Sequence, residues 1–235
     1  MRKFVDLHVK IGSDAPNVRP FLTTASKLGF SCICLASENS SIDAAREMSQ
    51  EVGVDVAGRV DLTPRNANEL MSALRRVRRH FEVVAVRCGS KAVARQAAKD
   101  HRVDVIYYPT ELSTRRKNRF DRQEAALASD ASCAYEINVS DLLGREPLII
   151  PRLISIMTDE IELARRHDVP VVVSSGSGEL LAMRDPRGLA AILDLMGVEF
   201  DEALDMVSIN PSRIVKVNRA KMSPDFVAPG IRRAR

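Results

Sequence analysis

Two hydrophobic rhythms alternate along the chain. Short runs of Val, Ile, Leu and Cys are followed by longer stretches whose apolar positions recur every three or four residues. The first rhythm marks buried strands and the second amphipathic helices. Residues 4–10 read as a strand in which Asp6, His8 and Lys10 alternate on one face. Residues 17–28 carry Val18, Phe21, Leu22, Ala25 and Leu28 at helical spacing and stop at Gly29. Strands are then expected at 31–36, 54–61, 81–87, 103–108, 133–139 and 171–174. The helices expected between them reach about Val52, then cover 66–79, 92–100, 122–129 and 148–166. Ser40 or Ser41 can cap the second. A polar loop fills 109–120. After the last strand the chain reads as helical: 186–196, 200–207 and a short helix after Pro211, with Gly197 and Asn210-Pro211 as breaks.

A strand followed by a helix, repeated throughout, is the signature of a parallel sheet. A dinucleotide-binding open sheet lacks support, because no G-x-G-x-x-G follows the first strand. Polar residues gather instead at the C-terminal end of strand after strand: Asp6/His8, Ser37/Glu38, Arg59/Asp61, Arg87, Glu136/Asn138 and Ser174/Ser175. Such a ring is what a barrel mouth requires. The expected fold is an α/β TIM-like barrel of about seven parallel strands, one domain over residues 1–221, with a basic, flexible tail over 222–235.

Composition adds one asymmetry. The 235 residues are 45% hydrophobic and 28% charged, ordinary for a globular domain. No apolar run is long enough to span a bilayer and no signal sequence precedes Phe4, so the expected location is the cytoplasm, away from membranes. The four cysteines, Cys32, Cys34, Cys88 and Cys133, fall inside strand-like segments without C-x-x-C spacing, as core thiols would. The net charge is +4, yet seven of the 35 bases and one of the 31 acids lie between Ser212 and Arg235. The other residues therefore hold 28 bases and 30 acids. A basic tail on a near-neutral body suits either a polyanionic partner or simple solubility.

Candidate chemistry centres on the first strand. An Asp-x-His-x-His run there would signal a metal site, but Lys10 holds the second imidazole position, and a cation repels metal. Of four histidines, His80, His101 and His167 fall at expected helix C-termini, away from the mouth. A divergent phosphoesterase holding one metal on Asp6, His8, Asp61 and Glu136 is the alternative reading. The turn Ser174-Ser175-Gly176-Ser177-Gly178 is either an anion-binding nest or a turn that needs glycine. The run Arg115, Arg116, Lys117, Arg119, Arg122 is either a solvated surface or a set of phosphate-binding forks.

Several segments together resemble the 30-kDa protein subunit family of archaeal and eukaryotic ribonuclease P. They are Phe4-Val-Asp-Leu-His8-Val-Lys10, Glu136-Ile-Asn-Val139, Val171-Val-Val-Ser-Ser175-Gly-Ser177, Met183-Arg-Asp-Pro-Arg187 and Ser208-Ile-Asn-Pro-Ser-Arg-Ile214. The first strand is shared with the polymerase-and-histidinol-phosphatase (PHP) metal phosphoesterases, whose barrel that family resembles. The resemblance implies a PHP-like barrel without metal, cofactor or catalytic residue of its own. It implies a ribonucleoprotein that removes the 5′ leader of precursor tRNA, with the catalytic centre in the RNA. A Pop5-type subunit is the implied direct partner, in a heterotetramer. Transferred by position, the implied RNA contacts are Arg95, then Arg115, Arg116, Lys117, Arg119 and Arg122, then Arg184 and Arg187.

Overall fold

The computed structural model describes residues 2–11, 18–36, 39–228 and 231–233. Seven strands form one parallel sheet in chain order: β1 (Phe4–Lys10), β2 (Phe30–Ala36), β3 (Asp55–Leu62), β4 (Val83–Arg87), β5 (Val105–Tyr107), β6 (Ala134–Asn138) and β7 (Val171–Ser174). The intervening helices are α1 (Arg19–Leu28), α2 (Asn39–Val52), α3 (Ala67–Val77), α4 (Lys91–Ala98), α5 (Leu112–Arg115), α6 (Arg122–Ala131), α7 (Val139–Leu143) and α8 (Ile150–Arg166). After β7 come a 3₁₀ turn (Leu180–Ala182), α9 (Pro186–Asp194), α10 (Phe200–Met206) and α11 (Ile209–Met222). This is the expected TIM-like barrel, nearly closed.

The helix ends follow local chemistry. Asn66 accepts from the Glu69 amide at the start of α3, and Asp121 with Glu124 forms a capping box on α6. Gly29 ends α1 in the left-handed conformation, φ +90°. Pro211, expected as a break, lies inside the first turn of α11, where its missing N–H has no intrahelical partner to lose.

Period-two alternation divides the apolar residues into two populations. Ile33, Leu35, Val56, Val84, Val86, Ile106 and Ile137 pack outward against the helices. Cys32, Cys34, Ala57, Val83, Ala85, Val105, Tyr107, Ala134 and Val172 fill the interior together with Val5 and Leu7. The alternation expected for β1 is broken by a register shift between Asp6 and Val9, so Asp6, His8 and Lys10 do not share one inward face. Asp6 and His8 are buried, whereas Lys10 is exposed.

Two devices take the place of an eighth strand. Across the β1/β7 seam, Val9 makes a single parallel bridge to Ser177, and the Lys10 amide donates to the Ser177 carbonyl at 2.7 Å. Asp6 Oδ1 accepts from the amides of Ser175 at 3.0 Å and His8 at 3.2 Å. The carboxylate thus substitutes for ladder bonds the strands cannot make. At the opposite end α11 closes the barrel floor. Its buried Val215 enters the interior cluster, and Asn218 donates to the Glu82 carbonyl at 2.8 Å and Asp104 Oδ1 at 2.7 Å.

The segments 12–17 and Ser37/Glu38 lie outside the described residues, as do the side chains of Ser40 and Ser41. Beyond Met222, Phe226–Ala228 and Ile231–Arg232 pair as a short antiparallel ribbon, β8 and β9.

Candidate functional site

The barrel mouth is built around a guanidinium. Arg59 alternates inward with Ala57 and Asp61 on β3 and is fully buried. Its Nη1 and Nη2 donate to Glu136 Oε1 and Oε2 at 2.7 and 2.6 Å. Nε and Nη2 reach Asp61 Oδ1 at 3.2 and 2.9 Å, and Nη1 also donates to the Leu7 carbonyl at 2.9 Å. The planar fork matches the carboxylate in a way an ammonium does not. Burial alone would raise the Glu136 carboxyl, but the facing Arg59 charge outweighs it and holds that carboxyl below its usual range. The same contest leaves Asp61 far below the ordinary carboxylate value.

His8 lies beside this pair. Its Nδ1 is 2.7 Å from Asn138 Oδ1 and its Nε2 is 3.1 Å from Asp61 Oδ2. His8 is therefore a buried, partnered core histidine. The residues that a metal phosphoesterase would offer to an ion, Asp61 and Glu136, already neutralise a protein cation. The donor set does not fit a metal, and the cation responsible is Arg59; Lys10, to which the sequence pointed, stands exposed at the rim. Arg59 was visible in the sequence only as a charge flanked by Ala57 and Asp61 at strand spacing, which reads equally well as a rim residue.

In the turn after β7, the Ser175 amide donates to Asp6 and the Ser177 amide to Ser175 Oγ at 3.2 Å. Gly176 has φ +62°, and a Cβ there would meet Ser140 Oγ at 2.7 Å and Asn138 Cβ at 2.8 Å. Two amides of the supposed nest are already bonded inside the protein. Glycine is required here for conformation and space.

The basic residues divide into three groups. Arg115, expected among the surface forks, is 1% exposed and is not one of them. Its Nη2 donates to Tyr135 Oη at 3.0 Å and to Glu160, and its guanidinium lies 4.9 Å from the centre of the Tyr108 ring. Tyr135 Oη also donates to Glu160 Oε2 at 2.7 Å, and Glu160 Oε1 accepts the Phe120 amide at 2.9 Å. Burial pushes the Glu160 carboxyl up, against the pull of Arg115. This network pins the loop after β5 to α8 and so fixes where its neighbours stand.

Those neighbours form the second group. Arg116, Lys117 and Arg122 are exposed, and Arg119 is half-buried with Nη2 2.8 Å from Asp159 Oδ2. Arg95 is exposed on α4, one turn from Lys91. Lys91 Nζ reaches the Arg119 carbonyl, Asp121 Oδ2 at 2.8 Å and Glu124 Oε1 at 3.0 Å, tying α4 to the start of α6. Arg184 and Arg187 form the third group, after β7. Arg184 Nη1 donates to the carbonyls of Leu181 and Met183 at 2.8 and 3.0 Å, while Arg187 is exposed in the first turn of α9. In chain order the connection after β6, which carries Leu148, lies between this group and the second, and Leu181 stands beside Arg184 in the turn after β7; each leucine is 91% exposed.

Residues 3–223 match the family model described as RNase P subunit p30. Ribonuclease P protein component 3 of Methanosarcina mazei is 29% identical over 231 residues, covering 97% of this chain and 95% of the relative. The Methanothermobacter thermautotrophicus relative of the same name is 23% identical over 223 residues, covering 92% and 90%. Among solved structures, a chain in the cryo-EM structure of archaeal ribonuclease P with mature tRNA superposes with a TM-score of 0.85 at 19% identity, covering 97% of this chain and 98% of that one. Histidinol phosphate phosphatase from Lactococcus lactis, complexed with zinc, L-histidinol and phosphate, gives 0.56 at 13% identity over 83% and 93%. Both superpositions speak to the fold.

Proposed function

The chain belongs to the RNase P subunit p30 family, protein subunits of the ribonucleoprotein endoribonuclease that processes tRNA, and from that premise we propose that it acts as a non-catalytic, RNA-facing component. The buried Arg59–Glu136 pair carries the non-catalytic part of this reading. A barrel mouth sealed by its own salt bridge offers no open electrophilic centre, so the PHP-type phosphoesterase reading is not favoured.

RNA contact is assigned to Arg95, Arg116, Lys117, Arg119 and Arg122, with Arg187 and Arg184 as a second cluster. Guanidinium and ammonium groups carried on helices and on a pinned loop engage phosphate oxygens without ordering a flexible segment first. Arg115 supports these groups from beneath. The partners in this reading are the ribonuclease P RNA, precursor tRNA through the holoenzyme, and a Pop5-type subunit in a heterotetramer. Exposed Leu148 and Leu181 favour a protein contact on the β6–β7 side of the mouth. Among the described residues no helix is long and apolar enough to cross a membrane, and the proposed location is the cytoplasm.

Reconstitution tests the proposal. The full chain, with its partner subunit and the RNA, is added to precursor tRNA at low magnesium and leader removal is followed. Cleavage that depends on this chain supports the reading; equal cleavage without it ends the reading.

A further inference from the structure

The floor of the barrel, opposite the mouth, carries a second set of cations that the reading above does not use. A cleft of about 320 Å³ opens there between α11 and the segments leading into β5, β6 and β7. That volume suits a nucleotide-sized group. Arg213, Val217 and Lys221 lie along one face of α11 at four-residue spacing and line the cleft; His101 and Ser132 line it from the other wall. All five are exposed. Arg213 and Lys221 have no acidic partner among the described residues. They contrast with Arg219 on the same helix, which is spent on Asp55 at 2.5 and 3.0 Å. Two acids also face the cleft. Asp104 is bonded to Arg78, Asn218 and the Val84 amide, whereas Asp168 is exposed.

Two further bases stand at this end of the barrel. The helices that follow β3 and β4 end on the floor side, so exposed Arg79 and Lys99 fall at the same end of the barrel as the cleft. Asn218 bridges to Glu82 and Asp104, which places α11 between those two helix ends.

We propose that the cleft between α11 and the barrel floor binds the phosphate backbone of structured RNA, as a site separate from the arginines around the mouth. The mixture of groups favours RNA over an acidic protein segment. Unpaired Arg213 and Lys221 suit phosphates, Asp168 can accept a 2′-hydroxyl, and Val217 offers an apolar contact to a ribose. The proposal rests on the chain being a ribonuclease P subunit.

The test uses the full chain and the ribonuclease P RNA, with affinity measured by fluorescence anisotropy across a salt series. Three proteins are compared: wild type, R213A/K221A and R116A/K117A. Losing two phosphate contacts lowers the slope of log affinity against log salt by about 1.4–1.8, and that is the result expected for R213A/K221A. An unchanged slope and affinity for R213A/K221A, with R116A/K117A impaired, overturns the floor site and leaves the RNA-facing reading intact. If the wild type binds no RNA, the parent reading falls and the floor site with it. If R213A/K221A keeps full RNA affinity but loses a protein subunit, the cleft belongs to a protein and the proposal is wrong.

Discussion

Arg59 and Glu136 meet through two parallel N–H···O bonds of 2.7 and 2.6 Å, with neither side chain reaching solvent. The pair occupies the place where a catalytic barrel keeps its reactive centre, and it defines the first prediction. R59M leaves Glu136 and Asp61 without their cation and should cost about 3–5 kcal/mol. The double variant R59M/E136M should be less destabilised than R59M alone, because it removes the stranded charge as well. Urea unfolding of wild type, both single variants and the double variant completes the cycle; a double loss equal to the sum of the singles would refute the coupling.

Asp61 supplies a pH signature. Its carboxyl is held well below the ordinary value of about 3.9 by Arg59 in spite of burial. A depressed folded-state value contributes stability that is complete above the unfolded value and fades as pH falls towards the folded one. Wild type should therefore lose stability below about pH 4, and D61N, though weaker at neutral pH, should lose less over the same acid window. Glu160 works in the opposite sense. Its raised carboxyl favours the fold in acid, and that contribution disappears as pH climbs through the raised value. Thermal melts of D61N and E160Q between pH 2 and 7 should diverge from wild type in opposite directions.

Arg115 and its neighbours in sequence should separate cleanly by assay. R115A breaks a buried pair and should cost about 3–5 kcal/mol of stability. R116A/K117A/R122A touches only exposed positions and should stay within about 0.5 kcal/mol of wild type, while lowering the salt slope of RNA binding by about 2–3. Denaturation and anisotropy on the two proteins check this. A stable R115A with a reduced salt slope would return Arg115 to the surface set.

The seam between first and last strands offers a local test. D6A strips the buried Ser175 and His8 amides of their acceptor, at about 1–3 kcal/mol each. Hydrogen exchange at the Ser175 amide should accelerate much more than at amides inside β3 or β4. G176A should be worse still, since positive φ and the approach of Ser140 and Asn138 both oppose a side chain. Uniform acceleration across the sheet in D6A would mean that the carboxylate has no special part in closure.

The sheet was legible because each strand carries β-branched residues bounded by polar turns, and β1 to β7 appear in the expected order. β5 shrinks from the expected 103–108 to Val105–Tyr107, since Tyr108 turns away to meet Glu124. The short helices α5 and α7 were hidden in segments too brief for a helical period to register. The site was harder to read. Exposure cannot be inferred from a run of bases, and Arg115 differs from Arg116 only through Glu160, 45 residues further along the chain. Arg59 depends on Glu136, 77 residues distant. Pairings of that separation follow from the nearly closed sheet, which no local window contains.

The same topology governs the order of assembly. Each strand joins the one made just before it, so a growing chain can add to its sheet as it emerges, with little need for distant segments to find one another. The seam between β1 and β7 is the exception, where the Ser175 amide that Asp6 accepts lies 169 positions downstream. Before a ribosome delivers β7, that carboxylate has only the neighbouring His8 amide to hold. Until then the nascent sheet carries two open edges, and in that interval the protein is most exposed to mispairing with another chain.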